Sequence, residues 1–144
     1  MLRVITANVN GIRATARRGG LEWLADADAD VICLQEVRAT HEQLHAVLQD
    51  SPLAHFHVQH SPAPQLGRAG VAVLTKNPAK RVTVGDAQLD EQGRWVEVDV
   101  ETAIGVITVV SVYINAGEVD TPKQDEKYVF LESMDARLKK LESP

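Results

Sequence analysis

Hydrophobic positions in the first third of the chain alternate between short apolar runs and a helix-spaced stretch. Leu2–Ala7 is predicted to be a short buried strand, and the continuous run Val31–Gln35 is typical of a central strand covered on both faces. Between them, Ala14–Asp28 favours a helix, although Gly19 and Gly20 weaken that prediction near its start. The order is therefore strand, helix, strand.

The rest of the chain is mostly β-like and ends in a helix. A helix begins at Thr40, because Gln43 three residues later completes a capping-box pattern. Strands are predicted at Phe56–His60, Gly70–Thr75, Lys80–Val84, Arg94–Glu101 and Val106–Tyr113, the last two as a hairpin. A final helix is predicted from about Gln124 to Leu141. Its apolar side would carry Tyr128, Leu131, Met134, Leu138 and Leu141. This order predicts a mixed α/β fold rather than a regular parallel wound sheet.

Composition narrows the class of protein. The chain has 144 residues, 44% hydrophobic and 24% charged, which suits one globular domain. No apolar run reaches the roughly 20 residues of a membrane helix, and Met1 leads into no signal-like segment, so we expect a cytoplasmic protein without a membrane partner. The single cysteine, Cys33, excludes an intrachain disulfide and is expected to be buried.

The net charge of −5 argues mildly against nonspecific coating of DNA, which needs clustered basic residues. Arg13, Arg17 and Arg18 nevertheless form a local basic cluster. That cluster is equally consistent with a DNA-facing surface and with a solvated helix end.

Two oxygen-bearing side chains follow predicted buried strands directly. Asn8 and Glu36 each lie just past the carboxyl end of such a strand, at the sheet edge where α/β folds bind ligands. Magnesium typically takes one or two protein carboxylates and keeps several waters, so the pair suits that ion. Spacing alone slightly favours the ordinary alternative, a turn asparagine and a surface glutamate. The spacing of His55, His57 and His60 gives little support to a metal cluster. Side chains along a strand alternate between its two faces, so His55 and His57 would share one face and His60 would lie on the other.

Several segments, taken in order, resemble the exonuclease III and apurinic/apyrimidinic endonuclease family. They are Asn8–Ala14, Leu34–Glu36, Gly70–Leu74, Gln92–Arg94, Val112–Tyr113 and, in the form found in some bacterial members, Gly117–Gln124. The resemblance implies a four-layered α/β sandwich of the deoxyribonuclease-I-like type. It also implies divalent-metal-dependent hydrolysis of DNA phosphodiesters in base excision repair. The implied cofactor is Mg²⁺ or Mn²⁺, and the implied substrate is double-stranded DNA with abasic sites or 3′ ends.

The resemblance also implies roles for individual positions. Glu36 would hold the cation, and Asn8 would hydrogen-bond or ligate beside it. Tyr113 would be the catalytic tyrosine near the scissile phosphate, where a neutral phenol can donate to developing charge. The positions implied to contact DNA are Asn10, Arg13 and Arg38, the last of which is often lysine in relatives.

Two departures limit the resemblance. Asn115 stands where relatives usually carry a proline, and the later family motifs Gly-Asp-x-Asn and Ser-Asp-His are absent. We therefore expect residues 1–144 to be the amino-terminal half of a single nuclease domain, with the carboxyl-terminal half absent. Such a half would hold about one sheet, expose its inner face, and either self-associate or require the missing half, without activity alone. The alternatives are a related phosphoesterase of the same superfamily, acting on inositol phosphates or sphingomyelin, and an inactive remnant or interaction module.

Overall fold

The structure, a computed structural model, describes residues 1–65, 67–84 and 93–142, so Gln92 of the family-like segment lies outside the described residues. Within these ranges the strands are β1 (Val4–Asn8), β2 (Val31–Gln35), β3 (His57–Ser61), β4 (Val71–Thr75), β5 (Arg81–Thr83), β6 (Trp95–Thr102) and β7 (Gly105–Val112). The helices are α1 (Ile12–Arg17), α2 (Gly20–Asp26), α3 (His41–Gln49) and α4 (Pro122–Glu142). No helix in these ranges is long and apolar enough to cross a membrane.

The strands form two sheets that pack face to face. The first has the order β1-β2-β4-β3, with β1 parallel to β2 and the other pairs antiparallel. The second is antiparallel, with the order β5-β6-β7, and contains the expected β6–β7 hairpin. The core between the sheets is built by Val31, Cys33, Val71, Val73, Val96, Val98, Val100 and Val109. Burial raises the pKa of the Cys33 thiol to about 11, so its expected role as a buried, inert side chain agrees with the structure.

The expectation that the chain holds one sheet with an exposed inner face is wrong. The hairpin does not extend the first sheet but folds over it. Its valine face needs an apolar partner, and β2 and β4 supply one because they are apolar on both faces. The inner face is therefore covered within the chain.

Helices α1, α2 and α3 cover the outer face of the first sheet. The single helix predicted over Ala14–Asp28 is in fact two, because Gly19 adopts a left-handed φ of 81° between them. The capping box of α3 is confirmed: the Thr40 hydroxyl accepts from the Gln43 amide at 3.2 Å, and the Gln43 side chain accepts from the Thr40 amide at 3.0 Å.

Helix α4 covers the outer face of the second sheet, and its buried side differs from the predicted stripe. Phe130 packs against Trp95 with Met134 beside them, whereas Tyr128 and Leu138 are exposed. This side of the helix is buried because Trp95, an outward-facing residue of β6, packs against Phe130. The resulting order of helices, sheet, sheet and helix confirms the four-layered α/β arrangement.

The α4 interface contains a fully buried carboxylate. Glu97 on β6 has 0% exposure and accepts hydrogen bonds from Arg137 Nε and Nη2, both at 2.7 Å. It also accepts from Trp95 Nε1 at 2.8 Å and Arg81 Nη2 at 3.0 Å. Burial acts to raise the pKa of Glu97, but the hydrogen bonds from Arg137, Trp95 and Arg81 outweigh it and lower that pKa. Through these hydrogen bonds the Glu97 carboxylate links both α4 and β5 to strand β6.

Candidate active site

Three strand ends bring the candidate residues to one edge of the sandwich. Asn8 and Gln35 end β1 and β2 in register, which places Glu36 directly beyond them. Strand β7 lies against β2, since the Ser111 hydroxyl donates to the Leu34 carbonyl at 3.0 Å. Tyr113 follows the last residue of β7 and reaches the same edge. The sandwich therefore assembles residues that are far apart in sequence.

Backbone hydrogen bonds hold the segment after β2 on both sides. The Gly11 amide donates to the Glu36 carbonyl at 2.8 Å, and the Val37 amide donates to the Gly70 carbonyl at 2.9 Å. The Val37 side chain is completely buried in the core beneath α1 and α3. Glu36 is thus presented by a segment fixed between the loop after β1 and the loop before β4.

This fixed segment and its neighbours have unusual backbone conformations. Glu36 (φ 52°), Arg38 (φ 53°), Asn10 (φ 46°) and Ala69 (φ 44°) all lie in the left-handed region. Each such non-glycine residue costs of order 1 kcal/mol, and such residues cluster at functional sites. Their concentration around one carboxylate supports a functional site here.

The Glu36 carboxylate is paired with Arg38 and lies close enough to Tyr113 to affect its pKa. Arg38 Nη2 lies 3.0 Å from Glu36 Oε2, and the Glu36 side chain is 16% exposed. Burial raises the pKa of Tyr113, and the charge of Glu36 and a hydrogen bond to it raise that pKa further. Tyr113 is therefore a neutral hydrogen-bond donor at physiological pH.

The donor set at this edge suits a hard cation that keeps most of its water. Besides the Glu36 carboxylate, the site offers the Asn8 amide oxygen, which accepts from the Asn10 backbone amide at 3.1 Å. No group of three or more His, Cys, Asp or Glu side chains fit to hold a metal occurs in the described ranges. One carboxylate and one amide oxygen suit a hard divalent ion such as Mg²⁺ or Mn²⁺ better than a metal that prefers thiolate or imidazole ligands. The Arg38 guanidinium shows that the carboxylate attracts positive charge.

Two adjoining cavities, of about 640 and 360 Å³, open beside Glu36 and share Arg38 and Gly67. The arginines that line one or both are Arg13, Arg17, Arg38, Arg68 and Arg94. Tyr113 and Asn115 line the larger cavity. The site therefore concentrates positive charge in a chain whose net charge is −5.

The structure places every site residue named from the sequence in this region. Arg13 Nη2 donates to the Arg38 carbonyl at 3.3 Å, so two of the three positions expected to contact DNA are adjacent. Asn10 lies in the turn that its amide forms with Asn8 and is exposed. Their placement leaves their roles as predictions.

Sequence reasoning missed the part played by Arg94. Its Nη1 donates to Asn115 Oδ1 at 2.9 Å, and its guanidinium lies 5.2 Å from the centre of the Phe130 ring. Asn115, the departure from the usual proline, thus has a specific partner across the larger cavity. Arg94 lies in one of the family-like segments, so the sequence did point to this position, but the resemblance was not used to assign it a role.

The histidines are arranged differently from a metal cluster. His60 is 8% exposed, and its Nδ1 lies 3.0 Å from Nδ1 of His41 on α3. Burial, followed by the charges of His41 and His45, lowers the pKa of His60 to about 4, so the ring is neutral at pH 7. His55 and His57 are exposed, whereas His60 is buried against His41.

Comparison with known proteins finds exodeoxyribonucleases of similar sequence. Exodeoxyribonuclease III of Haemophilus influenzae is 33% identical over 120 residues, which are 81% of this chain and 43% of that protein. An exodeoxyribonuclease of Bacillus subtilis is 33% identical over 111 residues, which are 75% of this chain and 42% of that protein. The chain therefore spans less than half the length of these curated relatives.

Solved structures of similar fold are also found among DNA repair enzymes. An AP endonuclease from Archaeoglobus fulgidus superposes with a TM-score of 0.78 at 26% identity, covering 97% of this chain and 52% of that one. A 3′ phosphatase from Neisseria, solved with a product DNA hairpin, has a TM-score of 0.75 at 24% identity, covers 93% and 50% of the two chains, and shows the shared fold. The resemblance seen in the sequence is confirmed. Because the pattern of the endonuclease/exonuclease/phosphatase family matches residues 5–142, the chain belongs to that family.

Proposed function

We propose that this chain forms part of a divalent-metal-dependent DNA phosphodiesterase of base excision repair that acts at abasic sites and at 3′ ends. The observation that carries the proposal is the 3.0 Å ion pair of Glu36 with Arg38, which itself lines an arginine-rich cavity together with Tyr113. An anionic ligand for a hard cation and a set of phosphate-binding arginines are two of the elements that metal-dependent phosphodiester hydrolysis uses, in addition to an activated water. The names of the similar relatives, which are DNA repair nucleases, point to DNA as the substrate.

Each group has a role that its surroundings allow. Glu36, helped by Asn8, holds the Mg²⁺ or Mn²⁺ ion, which when bound supplies Lewis-acid polarisation of the phosphate. Tyr113 stays protonated, so its hydroxyl donates a hydrogen bond to a phosphate oxygen as negative charge develops there. Arg38, with Asn10 and Arg13 beside it, binds the phosphate backbone, which positions the duplex without reading its sequence.

The described strands leave one side of the sandwich open. Strands β1 and β7 are each at the edge of a sheet, and because β7 packs over β2 and β4 their free edges lie on the same side. Val4 on β1 and Val106 on β7 are exposed. We place the remainder of the nuclease domain on these edges, where it would also bring a water-activating carboxylate towards Glu36.

The test compares two forms of the protein on a duplex that carries one abasic site, with Mg²⁺. The form completed by the residues that follow in the same reading frame is expected to incise the duplex, and the 144-residue chain alone is expected not to. In the completed form, Glu36→Gln should lower the incision rate by roughly 10²-fold or more, because it removes the ligand charge. Glu132→Gln, an exposed change on α4, is the matched control.

The possible outcomes separate the alternatives. Undiminished, magnesium-dependent incision by the Glu36→Gln variant would contradict the metal role of Glu36. Hydrolysis of a sphingomyelin or inositol phosphate substrate in place of abasic DNA would assign the chain to another branch of the family. A folded, completed protein without any phosphoesterase activity would identify an inactive remnant.

A further inference from the structure

We infer that Arg38 is a resident counter-ion of Glu36 that competes with the divalent cation for this carboxylate and turns to substrate phosphate when the cation binds. The inference deepens the proposed function and rests on its assignment of Glu36. Its basis is the 3.0 Å contact between Arg38 Nη2 and Glu36 Oε2.

The backbone builds this pair. Glu36 and Arg38 flank Val37, whose side chain is completely buried, and both have left-handed φ angles near 50°. With the middle residue anchored in the core, the two flanking side chains extend into the same cleft and meet there. Since left-handed backbone is unfavourable for these residues, the arrangement is imposed by the surrounding structure and is not an accidental surface contact.

The rest of the Arg38 side chain is only partly engaged. The side chain is 41% exposed, and its buried Nε has no hydrogen-bond partner among the described residues. The same side chain lines both cavities beside the site. Arg38 is therefore positioned between the carboxylate and the space in which a phosphate would lie.

A partly exposed pair held by one hydrogen bond contributes little to stability, so a divalent cation can replace the guanidinium. The displaced guanidinium then has unused donors that match a phosphate group. By thermodynamic reciprocity, cation binding and phosphate binding would favour each other through this one side chain.

The test measures Mn²⁺ binding to the 144-residue chain by the electron paramagnetic resonance signal of the free ion, with no activity involved. Arg38→Met keeps the apolar stem, removes the competing charge, and is expected to bind Mn²⁺ roughly two- to fivefold tighter. Arg17→Met is the matched control, because Arg17 lines the smaller cavity with Arg38 but makes no ion pair with Glu36 in the described structure. It should change the affinity less.

Glu36→Gln separates this inference from the proposed function. If that variant binds Mn²⁺ as well as the wild type, the metal assignment of Glu36 fails. If it loses the site while Arg38→Met binds no tighter than Arg17→Met, the counter-ion role of Arg38 is overturned and the metal assignment stands. Circular dichroism checks that each variant is folded, and Arg38→Gln, uncharged and polar, serves in place of Arg38→Met if the latter does not fold.

Discussion

Two glutamates of this chain, Glu97 and Glu36, are both paired with arginine, yet their surroundings differ. Glu97 is completely buried on β6, and its carboxylate receives four hydrogen bonds from Arg137, Arg81 and Trp95. Glu36 lies at a strand end, is partly exposed, and its carboxylate pairs with one guanidinium, that of Arg38.

The difference separates a structural carboxylate from one that is available to a ligand. A buried charge is tolerated only when its hydrogen-bonding capacity is filled, so Glu97 has no remaining capacity for a ligand. Glu36 retains free lone pairs, and its partner Arg38 lines two open cavities. An arginine partner alone therefore does not identify an active site; the number of donors around the carboxylate and its access to solvent do.

The largest effect on stability is expected at Glu97. Replacing it with alanine leaves Arg137 and Trp95 without their acceptor and removes the tie between α4 and β6. We expect the free energy of unfolding to fall by roughly 3 kcal/mol, as for other broken buried pairs, measured by urea denaturation monitored by circular dichroism. Glu36→Gln is the control and should change that free energy by less than about 1 kcal/mol. Equal losses in the two variants would contradict the structural distinction between the carboxylates.

The sequence predicted most elements because their patterns are local. The alternation of Val96, Val98 and Val100 identified β6, and the Thr40–Gln43 capping box identified the start of α3. The pairing of the two sheets was missed because alternation shows that a strand has an apolar face but not which surface covers it. The buried side of α4 was missed for a similar reason: Phe130 was outside the regular apolar stripe, and it is Trp95 on β6 that selects it.

The candidate site was predictable only in part. Spacing placed Asn8 and Glu36 at strand ends, and the family resemblance singled out Tyr113 and Arg38. The proximity of Tyr113 to Glu36 could not be read from the sequence, because it depends on β7 packing over β2. The Glu36–Arg38 pair was equally hidden, because no sequence pattern signals the left-handed backbone that both residues adopt after the end of β2.

A second prediction concerns His60, a buried polar side chain that, unlike Glu97, is not fully partnered. Its Nε2 has no hydrogen-bond partner in the described ranges and lies near Gly70, beside the Glu36 segment. The pKa of His60 is about 4 when folded and about 6.5 when unfolded, so the unfolded chain binds more protons between these values. Stability should therefore be lost as pH falls from about 6.5 towards 4, by roughly 1–3 kcal/mol.

Urea denaturation at pH 7.0, 5.5 and 4.8 measures this loss above the range in which most carboxylates titrate. The charges of His41 and His45 on α3 act on His60, so each of these residues is also replaced by glutamine as a control. His60→Gln should show the flattest dependence of stability on pH. A profile unchanged by His60→Gln would mean that burial does not hold this ring neutral.

The last and smallest effect contrasts the backbones at the two glutamates. Glu36 has a left-handed φ of 52°, which glycine adopts freely and alanine does not, whereas Glu97 lies in the extended strand β6. Glu36→Gly should therefore be more stable than Glu36→Ala by about 1 kcal/mol, despite the greater entropy of glycine in the unfolded chain. At Glu97 the order should reverse, because glycine weakens a strand interior by about 0.5–1 kcal/mol relative to alanine.

Each comparison is made between two variants that both lack the carboxylate, so loss of charge cancels and only the backbone preference remains. Thermal or urea unfolding of the four variants measures both differences, and the same glycine–alanine order at both positions would show that Glu36 is not held in a strained conformation.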